Sequence, residues 1–231
     1  MSSLPDPAME AVAHLRQLLE THASATKADE MSRYMKRNFP FVGVQKPLRE
    51  SLTKPLVEEL KGLPFEDIRG IVAVCWDQPE REFHYFAIDL LAASHKQWTP
   101  DAIELFESMM LRHSWWDSID AIAPNLAARY FKKWPATRDA VVERWSSSPV
   151  FWLNRAAILF QLGLKKDTDF ALLQSQILRH RGSKEFFIQK AIGWALRQYG
   201  RHNPDGVKAF VLSTELPALS RREALKHLGK D

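Results

Sequence analysis

Apolar residues recur at three- and four-residue spacings along nearly the whole chain, and runs that alternate apolar with polar residues are scarce. A spacing of three and four residues places apolar side chains on one face of an α-helix, whereas alternation would place them on one face of a β-strand. The pattern therefore predicts an all-α protein.

Turn-forming residues divide this helical pattern into about twelve segments of helix length, or thirteen. They are Gly43 with Pro47, Gly62 with Pro64, Pro79, Thr99 with Pro100, Pro135, Ser146 to Pro149, Gly163, Gly182 with Ser183, and Asn203 with Pro204. Taken in pairs, the segments open near Pro7, Pro47, Glu80, Trp115, Phe151 and Lys184. This spacing is typical of two-helix repeats that stack into a solenoid. We expect a curved solenoid of about six degenerate repeats, in one domain over residues 1–231.

Composition supports a folded helical chain. Hydrophobic residues make up 45% of the 231 residues, charged residues make up 26%, and only nine glycines occur, which disfavours a fold with many tight β-turns. The single cysteine, Cys75, lies in the apolar run from Ile71 to Trp76, so we expect a core residue and no internal disulfide. No apolar run approaches the ~18 residues of a membrane span. We therefore expect a cytoplasmic protein, associated with the nucleoid if the source is bacterial.

Charge is distributed unevenly along the chain. Residues 1–120 carry 13 basic and 19 acidic side chains, a balance of −6, whereas residues 121–231 carry 19 basic and 9 acidic side chains, a balance of +10. A surface that faces a polyanion would therefore belong mainly to the second half. The alternative is a solvated basic face that binds no ligand.

The segment from His113 to Pro124, of sequence HSWWDSIDAIAP, combines unusual residues. On a helical wheel Trp115, Ile119, Ile122 and Leu126 form one core-facing arc. Trp116 lies four residues before Asp120, so an indole is placed beside a carboxylate. Pro124 lies inside the helical pattern and favours a kink. Helices usually avoid this combination, which indicates local function or strain. The alternative is that Trp116 is a core residue and that Asp117 or Asp120 is only an acid stabilised by the dipole at the helix N-terminus.

Two later helical segments carry cations at unusual positions. In the segment that begins with Phe186–Arg197, the apolar arc consists of Ile188, Ala191, Ile192, Ala195, Leu196 and Tyr199. Trp194 projects away from this arc and lies beside Lys190 and Arg197, as on a helix that faces nucleic acid. Alternatively, the stems of these cations cover a partly buried indole. Arg155 interrupts the strongly apolar segment Phe151–Gln161, so it needs an anion, either a phosphate or a carboxylate such as that of Asp120.

Standard catalytic signatures are absent from the sequence. It contains no phosphate-binding loop, no dinucleotide fingerprint and no nucleophile elbow. His113, Asp117 and Asp120 lack the further ligands and the spacing of a known metal site. We therefore expect neither a metal nor a cofactor.

Three ordered motifs together resemble the HEAT-like-repeat DNA alkylation repair glycosylases, the AlkD family. They are the segment from His113 to Asp120, the segment from Trp152 to Gln161 with Arg155-Ala-Ala at its centre, and the segment from Phe186 to Arg197. An earlier stretch from Tyr34 to Gly43 belongs to the same pattern, and the likeness extends from about residue 30 to about residue 205. The family often carries a more basic loop after Gly43, and Glu50 departs from that pattern.

The resemblance implies HEAT-like repeats and an enzyme that excises N3- and N7-alkylated purines from double-stranded DNA without a metal or cofactor. It implies that Asp120 is the catalytic carboxylate, that Trp116 and Trp194 wall the lesion nucleotide, that Arg155 contacts DNA and that Tyr34 lines the cleft. We expect a monomer that hydrolyses the glycosidic bond. The alternatives are a non-catalytic helical-repeat protein that binds unusual DNA structures, or a protein scaffold.

Overall fold

The computed structural model describes residues 7–226, and every regular element in that range is helical. The all-α prediction is confirmed. The described range contains fourteen α-helices, more than the pattern predicted. One of the breaks that the pattern missed, before α2, contains neither glycine nor proline; it ends at Ser24, whose side chain accepts a hydrogen bond from the Lys27 N–H.

The chain divides into two compact units, with the boundary between Asp101 and Ala102. The N-terminal unit contains α1 (Pro7–Glu20), α2 (Ala25–Tyr34), α3 (Lys46–Leu60), α4 (Phe65–Trp76) and α5 (Arg81–Ala93). The C-terminal unit contains α6 (Ala102–Leu111), α7 (Trp116–Ala121), α8 (Ala128–Lys133), α9 (Arg138–Ser146), α10 (Phe151–Leu159), α11 (Phe170–His180), α12 (Phe186–Tyr199), α13 (Pro204–Ser213) and α14 (Ala218–Leu225). Short 3₁₀ turns cover Pro135–Thr137 and Lys165–Asp167. The six expected repeat openings lie within two residues of the starts of α1, α3, α5, α7, α10 and α12. The solenoid of six repeats and the single domain over residues 1–231 stay predictions.

A buried carboxylate fixes the backbone between α2 and α3. Glu82 of α5 accepts hydrogen bonds from the backbone N–H groups of Val42, Gly43 and Val44, at 3.1, 2.9 and 3.2 Å. Gly43 has a positive φ of 97°, and a Cβ there would lie 2.1 Å from the Ser24 carbonyl oxygen. Only glycine therefore fits this close approach.

The loop expected after Gly43 is wrong beyond Gln45, because α3 starts at Lys46. Lys46 begins α3 with Pro47 in its first turn, where the missing N–H of proline costs no hydrogen bond. Glu50 lies one turn into the helix and pairs with Lys46, with 3.6 Å between Oε1 and Nζ.

Cys75 lies in the core of the N-terminal unit, as predicted. It belongs to α4, and burial raises the pKa of its thiol well above the ordinary range. A buried neutral thiol behaves as a small apolar side chain. Among the described residues, no helix combines the length and apolarity needed to cross a membrane.

A π-helical turn, Ile122–Ala127, joins α7 to α8 and contains Pro124. The Ala128 N–H donates to the Ala123 carbonyl, five residues back, and the Asn125 side-chain amide donates to the Ala121 carbonyl at 2.9 Å. The kink expected at Pro124 is thus realised as a widened turn, and an amide side chain supplies a donor within it.

The core-facing arc predicted for this segment is confirmed except at one position. Ile119, Ile122 and Leu126 are fully buried. Trp115 precedes the helix, with φ −156° and ψ 163°, and is only half-buried. It was wrong to place Trp115 on the helical wheel, because the helix starts at Trp116.

Helix α12 packs closely against α14 at Gly193. A Cβ at Gly193 would lie 2.5 Å from the Cβ of Glu223 and 2.9 Å from the Ser220 carbonyl oxygen. The Ser220 hydroxyl donates to the Gln189 carbonyl at 2.8 Å. The absence of a side chain at Gly193 therefore brings α14, with Glu223, against the helix that carries Trp194.

Candidate active site

Asp120 and Arg155, which the sequence suggested as an ion pair, contact each other directly. The Arg155 Nε donates to one carboxylate oxygen of Asp120 and Nη2 donates to the other, each at 2.8 Å. This two-point geometry matches the planar guanidinium to the planar carboxylate and fixes both orientations. The pair joins α10 to the end of α7.

Phe187, the second residue of α12, completes the surroundings of Arg155. The third guanidinium nitrogen, Nη1, donates to the Phe187 carbonyl. The Phe187 ring centroid lies 5.9 Å from the Arg155 Cζ. Each of the three guanidinium nitrogens of Arg155 therefore donates a hydrogen bond, and its side chain is only 5% exposed. Arg155 holds the carboxylate in place and is itself held by α12.

Asp120 is the more accessible partner of the pair, with 15% of its side chain exposed. Burial raises the pKa of its carboxyl above the ordinary aspartate value, while the hydrogen bonds and charge of Arg155 act in the opposite direction. The nearby charge of Asp117 adds to the rise. A carboxylate has about four acceptor positions, so the two that Arg155 uses leave others for a ligand.

Aromatic rings pack beside this pair in an arrangement that sequence reasoning missed. Trp115, Trp152 and Phe187 lie with ring centroids 5.0 to 5.7 Å apart. The indole N–H of Trp115 is buried, with no hydrogen-bond partner among the described residues. The cluster comes from three separate segments, and its only sequence signal is the aromatic content of each.

The two tryptophans proposed as walls lie on the helices that frame the pair. Trp116 begins α7, one turn before Asp120, and is half-buried. Trp194 lies two turns after Phe187 on α12 and is also half-buried, packed against the core. Five positions of the arc predicted for α12 are buried, namely Ile188, Ala191, Ile192, Ala195 and Leu196. The sixth, Tyr199, is only half-buried.

Lys190 and Arg197 flank Trp194, and both pair with the same carboxylate. Lys190 Nζ lies 3.2 Å from Glu223 Oε1, and an Arg197 Nη donates to Glu223 Oε2. Burial of Glu223 acts to raise its pKa, but the hydrogen bonds and charges of Arg197 and Lys190 outweigh that effect and lower it. Sequence reasoning missed Glu223, which lies on a helix beyond the last motif.

Tyr34 is the last residue of α2, in the N-terminal unit, and is 68% exposed. His113 is exposed and has a positive φ of 51°. Within residues 7–226 no group of three or more histidine, cysteine, aspartate or glutamate side chains could hold a metal ion.

Basic side chains without an acidic partner in the described part of the chain are numerous in the C-terminal unit. The exposed ones are Lys132, Lys165, Lys166, Arg181, Lys184, Arg201, Lys208, Arg221, Arg222 and Lys226. These charges account for much of the positive balance of residues 121–231, and they are available to a polyanion.

Comparisons with known proteins show which family this chain is similar to. The family model of the DNA alkylation repair enzymes matches residues 15–228. A solved structure described as a predicted DNA alkylation repair enzyme from Enterococcus faecalis is similar to this chain, with 33% sequence identity and a TM-score of 0.85. The match covers 90% of this chain and 98% of that one. A comparison with curated proteins finds no significant match.

The family match covers most of the chain, including both helices of the Asp120–Arg155 pair and the helix of Trp194. The chain therefore belongs to the family of DNA alkylation repair enzymes.

Proposed function

We propose that this protein is a monofunctional DNA glycosylase that hydrolyses the N-glycosidic bond of N3- and N7-alkylated purines in double-stranded DNA. The observation that carries the proposal is the partly exposed Asp120 carboxylate, which Arg155 orients with two hydrogen bonds. Helix α7, which carries Asp120, and helix α12, which contacts Arg155, each carry a half-buried tryptophan. Family membership supports a role in alkylation repair, and the chemistry of the site supports the proposed reaction.

The substrate's own charge makes a single carboxylate sufficient. A purine alkylated at N3 or N7 is cationic, so it leaves as a neutral base and needs little help from a general acid. The transition state places positive charge on the sugar instead. A fixed carboxylate beside that sugar stabilises the charge and can orient the attacking water, as in glycoside hydrolysis.

Asp120 suits this role because it is more exposed to solvent than Arg155. The Asp120 side chain is 15% exposed and that of Arg155 is 5% exposed, so the carboxylate is the part of the pair that solvent reaches more. A cationic sugar that approaches from solvent therefore meets the carboxylate before the guanidinium. The acceptor positions that Arg155 leaves free are available to the sugar or to water.

Water is the nucleophile that the site favours. In the described range, the basic group that pairs with Asp120 is a guanidinium, and no lysine forms an ion pair with it. A Schiff-base mechanism needs an amine at that position. The faces of Trp116 and Trp194 would add cation–π attraction to the positive nucleotide, about 0.5–2 kcal/mol for each contact.

Release of free base from a defined lesion tests the proposal. Duplex DNA with one 7-methylguanine is incubated with excess protein, and the released base and the abasic site are measured. We expect release of 7-methylguanine and an abasic strand that stays intact until alkali is added. No release at high protein excess would contradict the proposal, and strand cleavage without alkali would contradict hydrolysis by water.

A further inference from the structure

Glu223 is placed where a DNA phosphate would compete with it. Lys190 precedes Trp194 by four residues and Arg197 follows it by three, so both cations lie on the side of α12 that carries the indole. The side chains of Lys190 and Arg197 are 38% and 22% exposed, and that of Glu223 is 13% exposed. Both cations therefore direct their charge at the carboxylate while part of each side chain stays open to solvent.

We propose that Glu223 competes with DNA phosphates for Lys190 and Arg197, and so keeps the binding of undamaged DNA weak. The proposal rests on the proposed function in taking duplex DNA as the ligand of this face. The trio carries a net charge of +1 instead of +2. A phosphate that binds either cation must displace the carboxylate or tolerate its repulsion.

The packing of α14 holds Glu223 in this place. Gly193, on the turn of α12 that carries Trp194, would bring a Cβ within 2.5 Å of the Glu223 Cβ. The hydroxyl of Ser220, one turn before Glu223, donates to the Gln189 carbonyl. These contacts fix the α14 backbone against α12, so the Glu223 side chain starts within reach of both cations.

Low affinity for undamaged DNA is an advantage for a repair enzyme. Undamaged sites vastly outnumber lesions, and binding to them depends mostly on phosphate contacts. An internal carboxylate that occupies two phosphate-binding cations lowers that sequence-independent affinity. It leaves Asp120 and the aromatic rings, which act on the lesion, unchanged.

The test compares Glu223→Gln with Glu143→Gln on undamaged duplex DNA across a salt series. Glu143 is an exposed glutamate of the same unit, paired with Arg179 at 2.7 Å, so both variants lose one negative charge and loosen an ion pair. We expect Glu223→Gln to bind roughly tenfold more tightly at low salt. Its log–log salt slope should steepen by about one to two, at about 0.9 per phosphate. Glu143→Gln should change the slope by less than half as much.

Further variants separate the proposal from a structural role. Glu223→Asp keeps the charge and should bind like the wild type. Adding Lys190→Gln and Arg197→Gln to Glu223→Gln should abolish the gain in affinity. If Glu223→Gln matches Glu143→Gln, or binds more weakly than the wild type, the proposal is overturned. Because undamaged DNA contains no lesion, these outcomes are independent of base release, which the wild-type protein reports separately.

Discussion

Burial of the Asp120–Arg155 pair costs folding free energy, which favours a chemical role for the pair. Removing two charges from water costs several kcal/mol per ion, and the attraction between them often fails to offset that cost. Both side chains are largely buried, and Arg155 donates a hydrogen bond from each of its three guanidinium nitrogens. Apolar residues would fill the same space at least as stably. An oriented carboxylate is what apolar residues could not supply.

We expect Asp120→Asn to lower the single-turnover excision rate by about 100- to 1,000-fold, because it removes the charge that stabilises the transition state. DNA affinity should stay nearly unchanged, since the shape is retained. The rate and the affinity are measured on the same duplex with one 7-methylguanine.

Asp117→Asn is the control for this change, since it makes the same substitution on the same helix. It should keep a near-normal rate. An Asp120→Asn protein that excises as fast as this control would falsify the assignment of Asp120.

The excision rate should also depend on pH through Asp120. Because its pKa is raised by burial, the rate should fall with decreasing pH at a higher pH than an ordinary aspartate would give. Arg155→Gln removes the group that lowers this pKa, so the acid limb should move to still higher pH. Single-turnover rates between pH 4 and 8, corrected for spontaneous base loss, report the shift.

Arg144→Gln is the matched control for Arg155→Gln, because Arg144 pairs with Glu107 elsewhere in the same unit. It should leave the position of the acid limb unchanged. An Arg155→Gln limb that stays in place, or moves to lower pH, would contradict the link between the pair and the rate.

Sequence reasoning named Asp120 as a possible partner of Arg155 but missed Glu223, for physical reasons, and the DNA contact of Arg155 stays a prediction. A cation inside an apolar helix must find an anion, and Asp120 was one of two named candidates. Lys190 and Arg197 lie near the surface, where water can solvate their charges, so the sequence of α12 does not predict a carboxylate partner for them. Only the packing of α14 on Gly193 brings Glu223 there.

At the scale of the helices, the first residue of a helix could be predicted to within a few positions, because it depends on local chemistry. Glycine, proline and capping residues act on their nearest neighbours, so six helix starts lie within two residues of the expected positions. The π-helical turn could not be predicted in form. Pro124 indicates a disruption, but the choice between a kink and a widened turn depends on the packing around it.

Gly193 is the position at which one added carbon should disturb the contact between α12 and α14. Gly193→Ala would place a Cβ 2.9 Å from the backbone oxygen of Ser220, which a side-chain rotation cannot relieve. We expect a loss of about 1–3 kcal/mol of stability, the usual cost of overpacking. Urea unfolding followed by circular dichroism measures it.

Gly182→Ala provides the comparison, since a Cβ there meets nothing within 4 Å. It should leave the unfolding midpoint close to that of the wild type. Equal midpoints for the two variants would show that the helices tolerate the extra atom.

At the scale of the whole molecule, lesion choice should follow the charge of the base. We expect excision of 7-methylguanine and 3-methyladenine and no excision of uracil or hypoxanthine. An ionised Asp120 accepts protons and a guanidinium does not release them, so this pair cannot protonate a neutral leaving group. Duplexes of one sequence that carry each lesion are compared in single-turnover assays.

The neutral lesions are the informative half of that experiment. Uracil release at a rate comparable to that of 7-methylguanine would contradict reliance on the substrate's own charge, even though it would still indicate a glycosylase. Release of neither base would argue against glycosylase activity altogether.

Buried residues recur in pairs four residues apart from α7 through α8, at 118–119, 122–123, 126–127 and 130–131. Four residues of a regular α-helix advance about 400°, so the last pair would point roughly 120° away from the first. A π turn holds one extra residue, which removes about 100° of that drift. The turn at Ile122–Ala127 therefore acts as a phase correction. A relative with one residue fewer here would keep Tyr130 and Phe131 facing the core along an uninterrupted α-helix.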